Sequence, residues 1–270
     1  MQIRPSATVT GVFILLPPSE GKTPPASGAP LDLAGLSFTG LTKTRRAVLG
    51  SLISLCSSDP AAAATALALG PTQAAHVQAN TGLKRAPAGR AIDVYTGVLF
   101  EALDAGSLRA AERRRLNRLV AISSALFGLV RPDDLIPAYR LSGDTSLPAL
   151  GAMATVWRDQ VSAEFEQHPG VILDLRSGAY VALGPIPPTI ASRSLVGRVL
   201  HEHAGKRSIV SHHNKATKGR IVRSLAQADA KPKTVKDLIA VLEALGYQAE
   251  LRPPKSQGTP AIVDIIVRDV

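Results

Sequence analysis

The sequence holds one cysteine, Cys56, in 270 residues. A single thiol excludes an internal disulfide framework and any zinc site built on paired cysteines, and it suits a reducing compartment. Aromatic residues make up only 4% of the chain, so a core must be assembled from Ala, Val, Leu and Ile. Long apolar runs are missing too. The first such run, Gly11-Val12-Phe13-Ile14-Leu15-Leu16, stops at Pro17-Pro18. A membrane helix needs about 20 apolar residues and a secretory h-region about 7–15. The expectation is a soluble, cytoplasmic protein that makes no membrane contact. There is no nucleophile elbow and no dinucleotide fingerprint. His201, His203, His212 and His213 lie close together but follow no metal-ligand spacing, so neither a metal nor a cofactor is expected.

Acidic residues are also in short supply. Lys and Arg number 31 against 21 for Asp and Glu, a formal net charge of +10. The surplus is uneven: between Val171 and Lys236 twelve basic residues stand against three acidic ones, a net of +9. Concentrated positive charge points to a basic cleft or stripe and to polyanionic partners.

The hydrophobic pattern predicts strands at Val12–Leu16, Val120–Ser123, Val171–Leu175, Ser208–Ser211, Gln248–Leu251 and Ile262–Val267. It predicts helices at Thr42–Ser57, Pro60–Leu69, Leu108–Leu119, Leu147–His168, Asn214–Ala228 and Thr234–Leu245, the last stopped by Gly246. Strands and helices alternate without a clean βαβ period. That favours a mixed α/β (α+β) fold: a single compact domain over residues 1–270, with no repeat and no linker.

Four constellations carry polar chemistry. Pro17-Pro18-Ser19-Glu20-Gly21-Lys22-Thr23 follows the first strand. Its Gly-Lys-Thr ending invites a phosphate-loop reading, but Leu16 stands where that loop needs glycine, and Pro24-Pro25 blocks the helix that must follow. What remains is either a strand-exit loop or a rigid loop presenting Ser19, Glu20 and Lys22 to a cleft. Asp93-Val94-Tyr95-Thr96-Gly97 offers either buried hydrogen-bond partners or cleft-lining groups. In Ser124–Leu135 a helical segment is expected to enter the apolar turn Phe127-Gly128-Leu129, and Asp133 to open the next helix. That order is similar to a DNA-binding helix-hairpin-helix, or else is an ordinary connection. Arg131 and Arg140 add charge nearby. Finally, on a helix from Asn214, Lys215, Lys218 and Arg223 fall within an arc of about 140°, flanked by Arg220. Such a face suits a phosphate backbone or a phosphorylated small molecule.

Taken in order along the chain, these motifs resemble the peroxide stress protein YaaA family. The resemblance rests on the first strand and its Ser-containing loop, Asp93–Gly97, Gly128–Leu135, Tyr139-Arg140-Leu141, Trp157, Val171–Tyr180 and Lys215…Lys218-Gly219…Arg223. It implies a central mixed sheet surrounded by helices, a basic cleft and an element like a helix-hairpin-helix. It implies sequence-tolerant binding of double-stranded or branched DNA in the oxidative stress response. Phe127, Gly128 and Leu129 would then form the hairpin turn, and Arg131, Lys215, Lys218 and Arg223 would be backbone-contacting cations.

The chain departs from the family in ways that keep an enzymatic alternative in view. The first loop carries Glu20 where family members often have Ser-Pro-Ala-Lys-Thr, and His212-His213-Asn214 replaces aromatic and small residues. The alternative is an enzyme using the same cleft on a nucleotide, nucleobase or other small anionic substrate. In that reading Lys22 or Lys215 holds the anion, Glu20 or Asp93 serves as base and His213 shuttles protons. Ser19, Tyr95, Thr96, Arg140, Asp174 and Tyr180 would complete the lining.

Overall fold

The computed structural model of the chain describes residues 11–203 and 205–268. Val12–Leu16 (β1) is buried at every position. An uninterrupted Val-Phe-Ile-Leu-Leu run fits the middle of a sheet covered on both faces, where no residue needs a polar side. β1 pairs in parallel with Val120–Ser124 (β2) on one side, and β2 pairs antiparallel with Gly128–Val130 (β3). On the other side of β1 lies Val171–Asp174 (β4), also parallel, followed by Ser194–His203 (β5). Lys206–Ser208 (β6) folds back on β5, and Gln248–Arg252 (β7) and Ala261–Arg268 (β8) complete an eight-stranded sheet. Its order is β7-β8-β5-β4-β1-β2-β3, with β6 beside β5.

The helices cover this sheet. They are α1 (Thr42–Ser58), α2 (Pro60–Ala66), α3 (Ala75–Thr81), α4 (Ala91–Val94), α5 (Val98–Leu103), α6 (Ala110–Leu119), α7 (Met153–Glu166), α8 (Gly178–Ala182), α9 (Ser211–Ala228) and α10 (Val235–Ala244). α7 buries Met153, Trp157, Val161 and Phe165, a four-residue stripe that presses one face on the core. Thr234 caps α10: its hydroxyl accepts from the Asp237 amide while the Asp237 carboxylate accepts from the Thr234 amide. One hydrophobic cluster runs from Val12 to Ile265. The mixed α/β expectation holds, and no helix among the described residues is long and apolar enough to cross a membrane.

Three expectations change. The helix expected from Leu147 starts at Met153, because Ser146–Leu147 pairs antiparallel with Gly151–Ala152 in a small ribbon. The strand expected at Ser208–Ser211 is replaced by Lys206–Ser208, and the ten-residue β5 was not anticipated. Its polar residues hid it: Arg198 pairs with the buried Asp264 across the β5–β8 ladder, which turns a charge in the pattern into a cross-strand contact. The third change concerns Ser124–Leu135, which is not a helix-hairpin-helix. It is the β2–β3 hairpin and the extended chain beyond, and Phe127 and Leu129 are fully buried. Arg45, itself fully buried on α1, donates to the carbonyls of Phe127 (2.9 Å) and Leu129 (2.7 Å). Gly128 has φ +71°, and a Cβ there would sit 2.8 Å from the Trp157 ring. The apolar turn that resembled a DNA hairpin is thus an element of the core.

The topology also decides where a ligand can sit. The chain leaves β1 toward β2 and leaves β4 toward β5, in opposite directions across the sheet. Strand order therefore reverses between β1 and β4. In an open α/β sheet such a reversal leaves a crevice beyond the carboxyl ends of the strands.

Candidate functional site

The loop that leaves β1 stands at this crevice. Ser19 Oγ donates to the Gly21 carbonyl and accepts from the Thr96 amide (3.0 Å). Lys22 forms an antiparallel bridge with Tyr95, and the Thr23 amide donates to the Val94 carbonyl at 2.9 Å. The loop is thereby clamped to the segment after α4. Gly21 permits the clamp, since a Cβ there would meet the Thr96 hydroxyl at 2.9 Å.

Two cavities flank this loop, and Glu20 and Gly21 line both. The first, about 550 Å³, is lined by Lys22, Tyr139, Arg140, His76 and the Pro24-Pro25 turn. The second, about 510 Å³, has an apolar wall of Val98, Leu99, Phe100 and Ile209 and a polar side of Thr96, Tyr180, Asn214, Lys215 and Lys218. Both volumes lie in the range of small-molecule sites.

The polar groups are tightly organised. Glu20 accepts from Arg140 Nη1 (2.7 Å), Ser142 Oγ (2.9 Å) and Tyr180 OH (3.2 Å). Lys22 Nζ donates to the Ser19 carbonyl (2.9 Å) and lies 4.3 Å from the Tyr139 ring centroid. Burial lowers its pKa to about 8, against the raising effect of Glu20 and with a further lowering from Arg140. Beneath it, Tyr139 OH meets Tyr95 OH (2.9 Å) and Ser124 Oγ (2.7 Å). Burial pushes Tyr95 up to about 12, and raises Tyr139 and Tyr180 well above the usual range. All three phenols stay protonated near neutral pH, and Tyr180 donates to Glu20. In the second cavity Lys218 is buried and donates to the Leu175 carbonyl (2.9 Å), leaving two further N–H donors. Burial lowers its pKa, with Asp174 opposing.

Of the residues expected from the sequence, Ser19, Glu20, Lys22, Thr96, Arg140, Tyr180, Lys215 and Lys218 line these cavities, with Tyr95 just below. Others do not converge. Asp93 is held at the surface by Arg90 (2.6 Å) and Arg113 (3.1 Å). His213 packs against His201, with ring centroids 4.9 Å apart, and lines neither cavity. Asp174 is consumed by a buried bidentate pair with Arg176. Phe127, Gly128 and Leu129 lie in the core. Arg131 packs between Phe13 and Phe38, about 5 Å from each ring centroid, and donates to the Arg118 and Val120 carbonyls. It lines a separate cavity with Ser37 and Glu164.

The expected basic face of α9 is also divided. Lys218 turns inward, and Arg223 caps α5 through the Leu103 and Asp104 carbonyls. Lys215 and Arg220 are exposed. More widely, the arginines of the basic segment are largely spent on structure: Arg176 on Asp174, Arg193 on the Gly170 carbonyl, Arg198 on Asp264, and Arg207 on Glu202 and Glu250. Among the described residues no group of three or more His, Cys, Asp or Glu side chains is placed to hold a metal.

Tyr139, Ser142, Ser124 and Asn214 belong to the site but were not singled out from the sequence. Tyr139 sits beside Arg140 in a motif read for its charge and for the family resemblance but not for its hydroxyl, and Ser142 gains its role only when Glu20 arrives from 122 residues away. The fold and the site define a class: a mixed α/β protein with a twin cavity at the strand reversal, walled by lysines, an arginine and hydroxyl groups. A family model described as peroxide stress protein YaaA matches residues 12–252. A UPF0246 protein of Streptomyces coelicolor is 44% identical over 261 residues, covering 96% of this chain and all of the relative. UPF0246 proteins of Corynebacterium efficiens and Corynebacterium glutamicum are 40% and 37% identical over 256 residues, again along their whole length. The chain belongs to the peroxide stress protein YaaA family.

Proposed function

We propose that the twin cavity is the site of an enzyme acting on a small anionic, nucleotide-like substrate. The observation that carries this reading is the convergence of Lys22, Glu20, Arg140, Lys215 and Lys218 on two adjoining clefts of about 550 and 510 Å³. The apolar wall of Val98, Leu99 and Phe100 suits a planar base, and Lys215 and Lys218 suit a phosphate. Membership of a family named for peroxide stress supports a role in the response to oxidants.

The test is calorimetric titration with nucleoside monophosphates and their unphosphorylated nucleosides. A single site is expected, with the phosphate required, and Lys215→Ala weakening binding by about 5–10-fold, the loss of roughly 1 kcal/mol of charge-assisted contact. No heat from any nucleotide up to millimolar concentration sinks the reading.

A second reading, sequence-tolerant DNA binding, draws on Lys206, Lys215, Arg220, Lys231, Lys233 and Lys236. Their side chains make no hydrogen bond or ion pair among the described residues. Phosphate contacts through these cations weaken steeply with salt. Duplex and junction DNA bound at physiological salt, and released by Lys215→Ala/Arg220→Ala, supports it; binding that ignores these substitutions rejects it.

A further inference from the structure

Lys22 is half-buried in the loop after the first strand and finds no carboxylate. The nearest acidic side chain in sequence, Glu20, makes no ion pair with it and is occupied by Arg140, Ser142 and Tyr180. Lys22 makes no ion pair among the described residues; its amine meets the Ser19 and Glu20 carbonyls and the faces of Tyr139 and Tyr95. The backbone of Lys22 is held by the bridge to Tyr95, and the residue lines the first cavity. Arg140 lines the same cavity, and its Nε has no partner. An amine and a guanidinium thus border one cleft.

We propose that Lys22 is an amine nucleophile that forms a reversible imine with the carbonyl carbon of a phosphorylated aldehyde or ketone, whose anionic group is held by Arg140. This rests on the anion-binding reading of the cavities and adds a covalent step to it. The Nζ lone pair forms the N–C bond while the carbonyl π pair moves to oxygen. One amine hydrogen passes to that oxygen, giving a carbinolamine. The C–O bond then breaks, and the hydroxyl leaves as water with the second amine hydrogen as the C=N bond forms. Water reverses the sequence, so no oxidant or reductant is needed.

The electrostatics favour the reactive form. The charged and titratable groups facing Lys22 are Glu20 and Arg140, with the protonated phenols of Tyr95 and Tyr139 and with His76 on the same cavity. Burial is the largest influence and lowers the pKa to about 8. At pH 7.5 about a quarter of such an amine is neutral, against roughly a thousandth for an ordinary lysine. The same aldehyde chemistry has two sources, a free aldose phosphate and an abasic deoxyribose within DNA.

The experiment incubates the full chain with sodium cyanoborohydride and either 2-deoxyribose 5-phosphate or an oligonucleotide carrying an abasic site. Adducts are then located by peptide mass mapping. The expected result is one reduced adduct per chain, on Lys22, formed at least about tenfold faster than on any other lysine, with a rate that rises toward a plateau above pH 8. The arm that reacts identifies the source. Lys22→Arg, checked for an unchanged melting temperature, loses the adduct. Protection of wild-type Lys22 by glycerol 3-phosphate gives the same information without a variant. Adducts spread over exposed lysines such as Lys206 and Lys231, or no adduct in either arm, overturns the imine. If glycerol 3-phosphate binds while Lys22 stays unmodified, the imine fails and the anion site stands; if neither occurs, both fail.

Discussion

Gly128→Ala separates a buried hairpin from one exposed to DNA. In the structure Gly128 carries φ +71° and its α-carbon faces the core, so an added methyl meets Trp157 at 2.8 and 2.9 Å and Leu41 at 3.1 Å. Trp157 cannot retreat easily, because its indole N–H donates to the Ala125 carbonyl at 2.8 Å and the ring is fully buried. The left-handed conformation costs alanine about 1–2 kcal/mol. Overpacking a filled core adds about 1–3 kcal/mol. The stiffer unfolded chain returns about 0.4–1 kcal/mol. The net is a destabilisation of about 3 kcal/mol, which for a chain of this size lowers the melting temperature by on the order of 10 °C. Differential scanning calorimetry and urea unfolding measure it directly. On the competing picture, a solvent-exposed hairpin turn contacting phosphate, the substitution would weaken DNA binding and leave stability nearly alone. A melting temperature within about 2 °C of the parent refutes the packing argument.

Three further outcomes follow from buried polar groups. Arg45→Leu strips donors from the Phe127, Leu129 and Ser37 carbonyls and should cost about 3–5 kcal/mol, read as a lower urea midpoint; a loss below about 1 kcal/mol contradicts it. Asp174→Leu leaves the Arg176 guanidinium buried without its partner and should destabilise by about 3–5 kcal/mol, whereas Asp174→Leu/Arg176→Met should recover most of that loss in a double-mutant cycle. His168 stacks on Phe13 with ring centroids 4.5 Å apart, and burial, aided by Arg131 and Arg193, lowers its pKa to about 4. Between about pH 6.5 and about pH 4 the unfolded chain binds a proton that the folded one refuses, so its contribution to stability falls as pH drops through that window. His168→Phe should flatten this part of the pH–stability profile, and an unchanged slope would exclude His168 as its source.

The positions that sequence reasoning reached and those it missed differ in kind. Val12–Leu16 was legible because an apolar run that ends at Pro17-Pro18 has few uses other than a buried strand. Ser19, Glu20 and Lys22 were legible because a clamped strand-exit loop presents whatever it carries. The basic segment misled because a charge count does not reveal partners: Arg198 and Arg207 are answered by Asp264 and Glu250, which lie outside the counted stretch. The hairpin misled because apolar-Gly-apolar spacing fits a helix turn and a β-turn equally well, and strand pairing arbitrates only once Val130 lies beside Ile122.

Local residue chemistry by itself determined most of the longer helices, most strands, the mixed α/β class and the family. Those depend on hydrophobic period, turn residues and motif order, all of which are written within short windows. The tertiary structure alone decided which charges are free and which are spent, and that Glu20 is bound by Arg140, Ser142 and Tyr180 while Lys22 is left without a carboxylate. These contacts join residues separated by 120 positions or more, and their energies depend on burial. A sequence window carries neither the distance nor the dielectric.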